Sequence, residues 1–316
     1  MRNRLTLFLC SIFLLGSPGV KAQLKGTHLL GDAGLKSGTQ GPPGFNIVVP
    51  VYAYDARKLR NDAGDVATDN VDLAMFVTGL GFSWVLPQKI LGGHLGGTVL
   101  FPFASNRLSS NLTNTSSAFA FTDIFFQPVQ MGWAVKQADF TAGYTLYLPS
   151  GKYEKGGDDN SGLGMLVNEF SAGSTVYFNQ KKTWHISSLL SYALNSKKKD
   201  TDIKTGDVLS IEGGLGKTWY AKPLKGDIPV IINAGLIYYM QFKTTADVVP
   251  VDTVIVSLGG NKDKTIALGP EANIYLPGLR SLVSLRWVSE VMAHNRFQGN
   301  TFLLTIAFSA KSFAKK

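Results

Sequence analysis

The 316-residue chain predicts an all-β fold: a single up-and-down antiparallel transmembrane β-barrel of about twelve strands, of the outer-membrane type. Three observations predict it. Segments of apolar/polar alternation recur along the sequence. Most of them reach the ~9–11 residues that a tilted strand needs to cross a bilayer. The connections between them alternate between short and long, as periplasmic turns and outer loops do.

The N-terminus stands apart from this pattern. Arg2 and Arg4 precede an apolar run from Leu5 to Leu15, and Val20-Lys21-Ala22 offers a small-residue cleavage site. Residues 1–22 therefore read as a secretory signal peptide cut before Gln23. Cys10 falls inside it, and Leu9 is too large for a lipoprotein signal, so the mature chain is expected to lack cysteine. Secreted domains short of core often use disulfides; a closed hydrogen-bonded barrel holds itself without them. Losing Arg2, Arg4 and Lys21 lowers the net charge from +9 to +6. No later stretch reaches eighteen apolar residues, which excludes a helical span.

Residues 23–45, QLKGTHLLGDAGLKSGTQGPPGF, are too rich in Gly and Pro for a helix. They are either a periplasmic lead or a segment tucked into the barrel. The second is preferred, because His28, Leu29 and Leu30 would otherwise form an idle apolar cluster. The barrel itself is expected over 46–316, with no sign of a second domain.

Twelve strands follow, over 46–58, 70–86, 93–105, 118–135, 139–149, 169–179, 184–195, 207–220, 228–245, 264–276, 281–292 and 301–310. In ADFTAGYTLYLPSG at 138–151, Phe140, Ala142, Tyr144 and Leu146 make an apolar file and Asp139, Thr141, Thr145 and Tyr147 a polar one. Alternate side chains of a strand face opposite sides, so the apolar file meets lipid and the polar file a wet interior. In DIPVIINAGLIYYMQFK at 227–243, Leu236, Tyr238 and Met240 stand against Asn233, Tyr239 and Gln241. KTIALGPEANIYL at 264–276 repeats the arrangement, and TFLLTIAFS at 301–309 closes the set. Short connections at 87–92, 136–138, 180–183, 221–227 and 277–280 alternate strictly with longer ones at 59–69, 106–117, 150–168, 196–206, 246–263 and 293–300. An even strand number puts both termini on the periplasmic side.

Charges inside the strands carry the most information about the interior. Glu212, Glu271, Arg286 and Glu290 each fall on a polar file. On the lipid side a basic residue at mid-membrane would cost ~2–4 kcal/mol. They should therefore face the lumen, either as an ion-pair network that fills it or as groups lining a solute path with Tyr147, Asn233, Tyr239, Gln241 and Asn273. Arg286 and Glu290 lie about 13 Å apart along an extended strand at ~3.3 Å per residue, so Glu271 on the adjoining strand is the better partner for Arg286.

Other patterns carry no chemistry. GGLGKT at 213–218 lacks the first glycine of a P-loop, since position 211 is Ile211, and sits in a strand. His28, His94, His185 and His294 have no ligand spacing and no nearby cysteine, so no metal or cofactor is expected. The Lys-rich stretch 196–204 has no interleaved aromatics and reads as a solvated loop, not a nucleic-acid site. An enzyme barrel of the phospholipase type would need a nucleophile and base on the outer wall. His185 with Ser187 and Ser188, or His294 with Asn295, are the candidates, and no nucleophile signature surrounds them.

GTHLLGDAGLKSGTQGPPGF near the start, FTDIFFQPVQMGW at 121–133, YTLYLPSGKY at 144–153, ALGPEANIYLP at 267–277 and SEVMAHNRFQG at 289–299 together resemble the bacterial "MetA-pathway of phenol degradation" family. The resemblance spans nearly the whole mature chain. It implies an outer-membrane β-barrel distantly similar to the fatty-acid and toluene channels, which passes a small hydrophobic or aromatic solute by diffusion. Expected partners are outer-membrane lipid, the barrel-assembly machinery and that solute. Glu290, Asn295, Arg296 and Gly299 match the family's Glu…Asn-Arg…Gly pattern. The sequence departs from barrel habit at its end, where AKSFAKK runs past Phe308, so either Phe308 or Phe313 closes the last strand. A barrel whose lumen is plugged and conducts nothing is the remaining alternative.

Overall fold

The structure, a computed structural model, describes residues 28–110, 114–157, 159–223, 228–249 and 262–313; the signal peptide expected at 1–22 lies outside them. The chain forms β1 (Gly44–Arg60), β2 (Val66–Thr68), β3 (Val71–Ile90), β4 (Gly93–Ser110), β5 (Asn114–Phe121), β6 (Ile124–Ala134) and β7 (Ala138–Leu148). It continues through β8 (Val167–Tyr177), β9 (Trp184–Asn195), β10 (Val208–Ala221), β11 (Val230–Lys243), β12 (Lys264–Leu276), β13 (Ser281–His294) and β14 (Phe297–Ser312). Each strand pairs antiparallel with its neighbour, and β14 returns to pair with β1 over Gly44–Leu59. The result is a closed barrel of twelve staves. Strand β5 continues the stave of β6 along β4, and β2 is a short flap on the outer end of β1.

The files separate as the alternation requires. Along β11, Ile237, Tyr239 and Gln241 are buried inside the barrel, whereas Leu236, next to Ile237, is 64% exposed on the outside. Along β7, Asp139, Thr141, Thr145 and Tyr147 are buried and Phe140 is exposed. Four of the five tryptophans, Trp84, Trp133, Trp184 and Trp219, occupy outward positions near the short-turn end. Aromatic girdles mark the membrane–water interface of such barrels, so this ring places the short turns at one bilayer surface.

Three expectations need correction. The strand expected over 118–135 is broken at Thr122-Asp123, because the loop leaving β7 caps the backbone there. The Asp123 carboxylate accepts hydrogen bonds from the N–H of Gly151 (3.0 Å) and Leu163 (2.8 Å), and Ser150 Oγ accepts from Ile124 N–H at 3.0 Å. The long loop expected at 293–300 is a tight turn. Asn295 takes a left-handed conformation (φ 52°), and its side chain donates to Asp62 and to the Lys262 carbonyl. Much of the loop expected over 106–117 is strand, since β4 runs to Ser110 and β5 starts at Asn114. At the C-terminus β14 continues to Ser312, Phe308 faces outward, and Phe313 N–H donates to the Pro43 carbonyl.

Two tests follow from this arrangement. Leu236→Arg should lower barrel stability by ~2–4 kcal/mol, the cost of a basic side chain at mid-membrane, whereas Leu236→Phe should not; heat-modifiability on a gel reads the difference. Protease added to intact cells should clip the loop between Leu148 and Val167, and a cleavage site inserted in the turn between Tyr177 and Trp184 should stay protected until the outer membrane is opened.

Candidate functional site

The lumen is occupied by the segment that precedes β1. Residues 28–41 run through the barrel and lead into β1, and among the described residues no strand ladder joins them to the wall. Side chains hold them instead. Glu212 of β10 accepts hydrogen bonds from Gly31 N–H (3.1 Å) and Ala33 N–H (3.2 Å), and Glu271 of β12 accepts from Leu35 N–H at 2.8 Å. Arg286 of β13 donates to the carbonyls of Gly31 and Asp32. Lower down, Ser187 donates to the Leu35 carbonyl, Thr39 donates to Asp139, and the Gln40 amide donates to the Gln130 carbonyl. Leu30 and Leu35 are buried against Ile237, Tyr239, Ala267 and Val288. Gly34 (φ 65°) has no room for a Cβ, because the side chains of Glu271 and Arg286 close over it.

His28 anchors the outer end of this segment. Its Nε2 lies 2.9 Å from Glu212, and its Nδ1 lies 3.2 Å from Glu169 and 3.3 Å from the Tyr147 hydroxyl. A carboxylate faces each ring nitrogen, an arrangement that favours the doubly protonated imidazolium. Asp32 is 3.6 Å from the same ring. His28, Asp32 and Glu212 bring one potential ligand atom each within 4.8 Å of one another, a grouping that could hold a metal ion. Here Glu212 hydrogen-bonds His28 and the backbone of the segment.

A second cluster lies toward the long-loop end. The Glu290 carboxylate accepts from the hydroxyls of Tyr54 (2.9 Å) and Tyr239 (3.0 Å) and from Gly299 N–H (2.7 Å). Arg296 lies 3.7 Å from Glu290, 3.2 Å from Asp263 and 2.9 Å from the Gln241 amide oxygen. Glu290, Arg296 and Gly299 thus meet in one unit that ties the β13–β14 turn into the barrel, and Asn295 shapes that turn. Gly299 is required, because a Cβ there would strike the Asp55 backbone of β1.

The interior positions read from the sequence therefore divide by task. Tyr147, Glu212, Glu271 and Arg286 grip the lumenal segment, with Arg286 Nε 3.1 Å from Glu271. Tyr239, Gln241 and Glu290 belong to the Arg296 cluster. Asn233 donates to Thr218 at 2.9 Å and Asn273 donates to Glu271 at 2.6 Å; the amide oxygen of each has no partner among the described residues. His28, Glu169, Asp139 and Asp263 complete the clusters and were not singled out. Glu169 and Asp139 could have been, since both sit on polar files at strand ends. His185 and Ser187 point inward and are buried, not placed on the outer wall. Ser187 Oγ is engaged with the Leu35 carbonyl and Ser37, and neither ring nitrogen of His185 has a hydrogen-bond partner among the described residues.

The family described as "Putative MetA-pathway of phenol degradation" matches residues 56–306. The chain belongs to this family. Among solved structures it is similar to the COG4313 outer membrane channel from Pseudomonas putida F1, with a TM-score of 0.69 at 14% identity, covering 85% of this chain and 97% of that one. It also matches the β domain of the Bordetella autotransporter BrkA (TM-score 0.48, 12% identity, covering 84% and 99%) and the translocator domain of NalP from Neisseria meningitidis (0.49, 10%, covering 85% and 89%). At these identities the likeness concerns the fold. No curated protein matches the chain. The family and the closed barrel together place the protein in the outer membrane.

Arg286 and Glu271 give the clearest energetic test. Breaking a buried pair from one side strands a charge and costs about 3 kcal/mol, more than the intact pair contributes. Arg286→Leu should destabilise the barrel, and Arg286→Leu with Glu271→Gln should recover part of the loss in a double-mutant cycle. Effects that add within error would show that the two groups do not interact.

Proposed function

We propose that this barrel lets a small hydrophobic or aromatic solute enter the cell by passive diffusion, along a path that the lumenal segment closes and its displacement opens. One observation carries the reading. Residues 28–41 are bound through side chains, so they can leave without breaking a backbone pair of the barrel wall. The wall behind them presents tyrosine rings and amide groups, including Tyr147, Tyr239, Asn233 and Gln241, which suit a solute with an apolar body and a polar edge. Membership of a family described by phenol degradation, and the likeness to an outer membrane channel, support the solute class. The inward burial of His185 and Ser187 favours transport over lipid hydrolysis, since the outer wall where lipid sits offers neither group.

The test uses a reversible lock. Ser37 Oγ and Ser187 Oγ are 3.1 Å apart, and the mature chain is expected to have no cysteine of its own. In the Ser37→Cys, Ser187→Cys protein, uptake of labelled toluene or phenol into intact cells should fall severalfold on oxidation and return on reduction. Cells lacking the protein should take up the label at the locked rate. Uptake that is equal with and without the protein would sink the channel reading, whereas protein-dependent uptake unaffected by the lock would show that solute passes beside a fixed segment. Hydrolysis of phospholipid by the purified barrel would favour the enzyme alternative.

A further inference from the structure

The outer face carries a charge that the lumen does not explain. On β10 the even residues Glu212, Gly214, Gly216 and Thr218 face inward, which turns Leu215, Lys217 and Trp219 toward lipid. Lys217 pairs across the sheet with Trp184 of β9 and Ala234 of β11. Its Nζ sits 5.1 Å from the Trp184 ring and 5.3 Å from the Trp219 ring. Among the described residues no carboxylate pairs with it. The contrast is Arg107, which faces outward at the other end of the barrel and is matched by Asp72 at 2.8 Å.

Its depth follows from strand geometry. The 14 residues of β10 span roughly 46 Å along the strand, and about 35 Å across the membrane at a tilt of ~40°, against an apolar band ~25 Å tall. About 5 Å of strand therefore stands in the headgroup zone at each end. Lys217, four residues before Ala221, has its Cα about 5 Å inside the apolar edge, within reach of a lysine stem that carries its ammonium back to the interface.

The rim below Lys217 has the same sign. Lys89, Lys136, Lys181, Lys222, Arg280 and Lys311 are exposed around the short-turn end. Among the described residues the rim's single carboxylate is Asp139, which is buried and taken by Thr39, Tyr177 and Lys182. A ring of cations at a bilayer surface, with no free carboxylate among the described residues, calls for an anion that is present all around the barrel.

We propose that Lys217, held between Trp184 and Trp219, binds the phosphodiester of a glycerophospholipid in the periplasmic leaflet. The two indoles fix the ammonium by cation–π contact and pack against the acyl chains, while the phosphate supplies the charge that no carboxylate does.

Purified barrel in an uncharged detergent would be titrated with phosphatidylglycerol and, separately, with diacylglycerol of the same chains, bound lipid being counted by native mass spectrometry. Phosphatidylglycerol should be retained and diacylglycerol should not. Lys217→Met should weaken retention about five-fold, the weight of one basic residue near a charged lipid surface, and Lys217→Arg should preserve it. Equal retention of the two lipids, or no change in Lys217→Met, would overturn the proposal. Should Lys217→Met fail to assemble, quenching of tryptophan fluorescence in the unaltered protein by brominated forms of both lipids decides the matter. Stronger quenching by the phosphate-bearing lipid supports the site; equal quenching ends it.

Discussion

Hydrocarbon offers no hydrogen bonds, so a strand that enters a bilayer must satisfy every backbone N–H and C=O on its neighbours, and a sheet must close. The return of β14 to β1 meets that demand here. Once the sheet is closed, each strand has one face in lipid and one in the lumen, and the alternation of side chains becomes obligatory. This explains why Leu236 is exposed while Ile237 beside it is sealed inside. It also explains how the fold can manage without disulfides, because closure removes the edges that a small open sheet would need to protect.

Closure creates the second problem, which is what fills the inside. A twelve-stranded barrel is too wide for opposing side chains to interlock fully, and this one fills the gap with its own N-terminal segment. Buried charges at Glu212, Glu271, Arg286 and His28 would be costly in isolation. They are tolerable because each meets a backbone group or an opposite charge. The Glu290–Arg296 cluster works in the same way nearer the long-loop end, where it adds two tyrosine hydroxyls and a backbone N–H.

The sequence was most legible where physics is strictly periodic. The twelve alternating segments fall on the twelve staves, mostly within a few residues at each end, and the inward placement of Glu212, Glu271, Arg286 and Glu290 follows from period two alone. Contacts that depend on distant parts of the chain were harder to read. The break at Thr122-Asp123 arises because a loop some thirty residues later supplies its hydrogen bonds, which no local pattern announces. The 293–300 loop was overestimated because polar residues such as Asn295 and Arg296 resemble solvent-exposed chain, whereas here they are drawn into the turn by Asp62 and Glu290. His28 lay in a segment whose location the sequence left between two options. Its carboxylate partners, Glu169 and Glu212, come from strands more than a hundred residues away.

The way the lumenal segment is bound has a consequence for how its sequence can vary. The wall reads this segment largely through its backbone: two N–H groups by Glu212, one by Glu271, two carbonyls by Arg286. Recognition of that kind is indifferent to most side chains but strict about conformation. Gly31 (φ 91°) and Gly34 (φ 65°) supply the left-handed turns that aim successive N–H groups at the two carboxylates. An L-residue with a side chain would resist both turns, and at Gly34 it would also collide with the Glu271–Arg286 pair. The apolar anchors Leu30 and Leu35 then fix depth, and His28 fixes the outer end. Specificity thus resides in two glycines, two leucines and one histidine, and the residues between them are free to meet other demands, including those of whatever passes through.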